Sequence, residues 1–100
     1  MLPKLHHLKT WNEYFDAIAN GQKNYEVRMN DRDFHQGDSV LLEEWNPETK
    51  KYTGRTLAFK IGYVLESEQF GIQSGFCVFA LLPFDGDAEQ SVERMGESLA

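Results

Sequence analysis

Apolar and polar positions along the chain alternate in two periods. Trp11, Phe15 and Ile18 recur at helical spacing, with Tyr14 and Ala19 beside them. Thr10-Trp11-Asn12-Glu13 has the form of a capping box, and Gly21 after Asn20 is a helix-ending glycine. The pattern predicts a helix over 11–20, preceded by a short extended segment through Leu5 and Leu8. Lys23 to Arg28 then alternates with period two. Tyr25 and Val27 share one face and Asn24, Glu26 and Arg28 the other, which predicts a half-buried strand. Met29 to Phe34 is a polar loop with Asn and Asp at turn positions, and Gln36-Gly37-Asp38 is a second turn.

Ser39–Trp45 reads as a strand that Asn46-Pro47-Glu48-Thr49 breaks into a hairpin connection. Thr53–Leu65 reads as a long strand, with Leu57, Phe59, Ile61, Tyr63 and Leu65 on one face and Gly62 marking a bend or bulge. Phe76–Phe84 is continuously apolar, as in a strand buried on both faces. Trp11, Phe15, Phe59 and Phe76 take core positions by their spacing. The predicted fold is α+β: a small, mostly antiparallel β-barrel with one helix packed beside it. After Pro83 the composition turns to Gly, Asp, Glu and Ser. The division is therefore a domain over 1–85 and an acidic, disordered tail over 86–100.

Charge refines the picture. The formal net charge is −6, yet residues 85–100 hold five acids against Arg94. The other 84 residues hold 11 acids and 9 bases, close to neutrality. A protein that coats nucleic acid regardless of sequence carries a clear basic excess, so any RNA contact here is local. The single cysteine, Cys77, lies in an apolar run and reads as a small buried hydrophobe. No signal-peptide core or membrane-length apolar stretch is visible, and a cytoplasmic location is the default expectation. The chain shows no phosphate-binding Gly-rich loop, no Cys-x-x-Cys and no His-Glu-x-x-His, so neither a cofactor nor a metal is expected.

One segment stands apart. Lys23, Glu26, Arg28, Asp31, Arg32 and Asp33 place three bases and three acids within eleven residues. Glu26 and Arg28 share a strand face, and Lys23 enters just after the helix. Arg offers a planar donor fork for phosphate or a base edge. A Lys near a Glu can stabilise an oxyanion or serve as base or nucleophile. Mixed charges of this kind also occur on a solvated strand face held by weak ion pairs. Trp45 and Tyr52 flank the 46–51 turn, where aromatics either cover the core or stack on bases.

Gly21-x-Lys23-x-x-Glu26-x-Arg28 resembles the Gly-x-Lys-x-x-Glu-x-Arg signature of the ASCH domains, a branch of the PUA-like superfamily. A start with His7, Leu8 and Lys9, the helix, Asn30-Asp31-Arg32-x-Phe34-x-x-Gly37-Asp38 and a strand ending Glu44-Trp45 resemble its DUF3850 group more narrowly, over about residues 5–82. The resemblance implies a PUA-like barrel with a cleft between barrel and helix, and RNA or a nucleotide as ligand. In ASCH domains the signature residues line that cleft; on a binding-module reading the site here is Lys23, Glu26, Arg28, Asn30, Asp31 and Arg32, with His7, Lys9 and Trp45 completing the cleft. A similar bacterial branch hydrolyses N4-acetylcytidine with a Lys, a Thr and a Glu. Lys23 matches that Lys, whereas Glu26 stands at the Thr position. If this chain is an enzyme, Lys23 and Glu26 are its catalytic pair.

Overall fold

The computed structural model describes residues 2–84. The tail predicted over 86–100 lies outside the described residues. In chain order the elements are β1 (Leu5–Trp11), α1 (Asn12–Ala19), β2 (Tyr25–Met29), β3 (Ser39–Asn46), β4 (Lys51–Leu65) and β5 (Phe76–Leu82). The five strands form one curled sheet in the order β1-β3-β4-β5-β2. β1 runs parallel to β3, and the other three pairings are antiparallel. The fold is mostly-β α+β, a half-barrel whose free edges are β1 and β2.

The curl comes from β4. This strand of 15 residues carries two register shifts, one opposite Glu43–Trp45 and one between Ile61 and Val64. Each shift bends the strand and raises its twist. Gly62 sits in the second, as the alternation predicts. A Cβ there would stand 3.0–3.1 Å from the Leu82 and Ala80 side chains, so glycine lets β5 approach. The shift also breaks the expected face: Ile61 is buried, while Tyr63 is 70% exposed.

The core fills the concave side with Leu8, Phe15, Ile18, Phe34, Val40, Leu42, Ile61, Cys77, Phe79 and Leu81. Burying each large apolar side chain contributes roughly 1.5–3 kcal/mol. Burial also pushes the Cys77 thiol pKa up. Of the aromatics expected in the core, Phe15 is there. Phe59 and Phe76 are half-buried, and Trp11 is about half exposed. β5 alternates buried and half-buried positions, so it is not sealed on both faces.

The helix begins differently from the expected capping box. Trp11 is the N-cap, with φ −59° and ψ 145°, and no side chain caps the helix. Thr10 instead belongs to β1, where it faces inward and pairs in register with Glu44. Its hydroxyl donates to the Leu8 carbonyl. Strand pairing through Trp11 takes precedence over the local cap. Phe15 and Ile18 turn the helix onto the core.

Two buried acids brace the frame. Glu44 accepts from Thr53 Oγ1 at 2.5 Å and from Arg55 Nε and Nη2 at 2.8 Å each. Arg55 also reaches Asp16 on α1 at 2.7 Å and lies 4.8 Å from the Phe15 ring centre. Hydrogen bonds from Arg55 and Thr53 hold the Glu44 pKa down to about 2. Asp38 accepts from the Lys4 and His35 backbone N–H groups and meets His6 Nε2 at 2.9 Å. Burial raises its pKa, but these bonds outweigh burial and hold it below the ordinary carboxylate value.

Candidate functional site

A third buried acid opens onto a cleft. α1 ends at Ala19 with Asn20 as its C-cap, and Gly21 takes φ +83°, where a side chain is strained. The Lys23 N–H folds back to the Ala17 carbonyl at 3.0 Å. This turn delivers Lys23 to the start of β2. Its Nζ donates to Glu26 Oε1 and to the Tyr25 carbonyl, each at 2.7 Å. Arg28 Nε donates to Glu26 Oε2 at 2.7 Å. Glu26 is only 3% exposed. An unpaired carboxylate there would carry a large desolvation cost, and the two cations offset it.

The face of β2 is thus the reverse of the usual amphipathic arrangement. Glu26 points inward, while Tyr25 and Val27 are about half exposed. Glu26 and Arg28 share a face as predicted, but that face is not a solvated exterior.

Arg28 also spans the gap between the two sheet edges. Its Nη2 donates to the Lys9 carbonyl of β1 at 2.9 Å and to Thr10 Oγ1 at 3.3 Å. Arg32 Nη1 donates to the His7 carbonyl in the same way. Side chains here occupy carbonyls that a closed barrel would pair with backbone N–H groups. The cleft lies along this gap, with a volume of about 580 Å³. That volume falls within the range for small-molecule sites.

Trp11, Tyr14 and Tyr25 wall the cleft, each 45–49% exposed. Lys23 Nζ lies 5.0 Å from the Tyr25 ring centre and 6.0 Å from that of Tyr14. Lys9, Thr10, Glu26, Val27 and Arg28 complete the lining with Lys23. The structure therefore brings Lys9, Lys23, Glu26 and Arg28 together. Arg32 and the His7 backbone extend the line along β1. The His7 ring faces Glu43 at 3.4 Å on the exposed side.

The remaining candidates sit elsewhere. Asn30 shapes its loop: Oδ1 accepts from the Phe34 N–H at 3.1 Å, and its own N–H donates to the Gly75 carbonyl at 2.8 Å. Asp31 is exposed and 3.9 Å from Arg32. Trp45 packs on the outer face against Tyr52. Sequence reasoning missed Thr10, Trp11, Tyr14 and Tyr25 as cleft residues. Tyr25, between Lys23 and Glu26, carried a local signal, whereas Thr10 and Tyr14 carried none and helical spacing places Trp11 in the core. Among the described residues no group of three or more His, Cys, Asp and Glu is placed to hold a metal ion. Nor is any helix among them long and apolar enough to cross a membrane.

The sequence model of a family described as "Domain of unknown function (DUF3850)" matches residues 5–81. An uncharacterised 12.9 kDa protein in the GpA 3' region of Escherichia phage P2 is 36% identical over 61 residues. The match takes in 61% of this chain and 54% of the phage protein, about half its length.

Proposed function

The chain belongs to the DUF3850 family, and from the geometry of its cleft we propose that it is a PUA-like, ASCH-type module that binds RNA or a nucleotide. The base sits among Trp11, Tyr14 and Tyr25, and the adjoining phosphate meets Lys23, Arg28 and Lys9. The observation that carries this reading is the saturated Glu26 beneath an aromatic-walled cleft. Glu26 fixes two cations at hydrogen-bonding distance and cancels one of their charges. With Lys9, the lining keeps two net positive charges, facing three half-exposed rings. A nucleotide carries the complementary features, an anionic group and a flat π-face. Base–aromatic stacking contributes about 1–3 kcal/mol per base. Among the described residues no acceptor takes Arg28 Nη1, so that donor is open to a ligand.

The alternative is a hydrolase acting on a modified nucleoside such as N4-acetylcytidine, or on RNA, with Lys23 and Glu26 as its pair. Binding is the preferred reading because both Glu26 oxygens are committed to Lys23 and Arg28. A proton relay through Glu26 would first have to break a buried ion pair. Titration of labelled protein with nucleoside monophosphates and N4-acetylcytidine tests both readings. Saturable shifts at the cleft without product support binding. Release of acetate, lost in Lys23→Ala, would establish the hydrolase instead.

A further inference from the structure

From the cleft wall outward, three aromatics form a row across the outer face of the sheet. Trp11 pairs in register with Trp45 across β1 and β3, and Trp45 with Tyr52 across β3 and β4. Neighbouring strands lie about 4.8 Å apart, so the row steps outward one strand at a time. Trp11 is also a wall of the cleft, which makes the row continuous with it. The Trp45 and Tyr52 rings meet edge to face, with centres 4.9 Å apart. Tyr52 is 53% exposed. Lys9 Nζ sits 4.0 Å from the Trp45 ring centre, between cleft and row. Lys50 and Lys51 are exposed beyond Tyr52, at the hairpin tip. Glu43, the acid beside the row on β3, is engaged by His7.

We propose that this row is a second subsite, where single-stranded RNA leaving the cleft stacks its next base on the exposed Tyr52 ring beside Trp45 and lays its phosphate on Lys9. The inference rests on the nucleotide reading of the cleft. Exposed Tyr52, half-buried Trp45 and the lysines interleaved with them match the chemistry of a single strand, in which bases and phosphates alternate. A protein partner would have no need of that alternation.

The chain has two tryptophans, so its indole N–H signals report separately on the cleft wall, at Trp11, and on the row beyond it, at Trp45. The experiment compares nucleoside 5'-monophosphates with U4, C4 and A4 tetranucleotides. Monophosphates are expected to move the Trp11 indole signal, and tetranucleotides both. The best tetranucleotide binds about 10-fold more tightly than its monophosphate, the size of one base–aromatic stack. Tyr52→Ala removes most of that advantage and leaves monophosphate affinity unchanged, while Tyr52→Phe retains it. A tetranucleotide that moves Trp11 alone, or an advantage that survives Tyr52→Ala, overturns the subsite and leaves the cleft standing. Silence at both indoles overturns both. A Trp45 signal that moves with protein concentration alone makes the face a contact between copies and overturns the subsite.

Discussion

Glu26 shows how one residue sets the character of the site. Its side chain is buried, while the partners Lys23 and Arg28 keep 18% and 25% of theirs exposed. Glu26→Gln keeps the volume but leaves two cations with no counter-charge. Because those cations remain partly solvated, the loss of stability is about 1–3 kcal/mol, the scale of charged hydrogen bonds. Denaturant unfolding measures it, and nucleotide affinity falls with it as the cations lose their fixed positions. Trp11→Ala is expected to lower nucleotide affinity with little loss of stability. Trp11 is half exposed, so truncation changes stability by less than Phe79→Ala, which removes a 1%-exposed ring at about 3–5 kcal/mol. The sequence shows that Glu26 and Arg28 share a face, because period two demands it. It does not show which face turns inward, because alternation is symmetric. Apolar Tyr25 and Val27 favour one answer, and the ion pairs at Glu26 enforce the other.

At the scale of elements, two devices hold the frame that carries the cleft. Glu44 and Arg55 tie β3 and β4 to Asp16 of α1. The Glu44 pKa is lowered from 4.5 to about 2 in the folded chain. Its contribution is therefore complete above about pH 4.5 and is lost as pH falls through about 2. Asp38 acts with the same sign, since its pKa is also depressed. Unfolding free energy is expected to fall with acid across this window, and Glu44→Gln to flatten part of that slope. The second device is the glycine shift in β4. Gly62→Ala pushes a methyl against Leu82 and Ala80, an overpacking cost of about 1–3 kcal/mol readable from the melting temperature. Glycine within an apolar alternation revealed this shift in advance. The helix start differs from the capping-box expectation because Thr-x-x-Glu satisfies a cap only if the Thr leaves the strand, and the register of Thr10 with Glu44 keeps it in β1. Pairing between strands 34 residues apart is not a local signal.

For the molecule as a whole, the sheet is left open along one seam and the cleft is that seam. β1 and β2 end the strand order, and Arg28 and Arg32 reach from one side to carbonyls on the other. The all-round charge is acidic, so the site attracts anions only at short range. Nucleotide affinity should depend weakly on salt, with a log–log slope of about −0.7 to −2, as for one to three phosphates on a single strand. A much steeper slope would point to a broad basic surface that the chain lacks. Nucleotide binding in the seam is tested most directly by an amide NMR titration of labelled protein with the four nucleoside 5'-monophosphates. Saturable shifts are expected, confined to Lys9–Trp11, Tyr14 and Lys23–Arg28. No shifts at millimolar nucleotide, or shifts away from the β1–β2 seam, would contradict binding there.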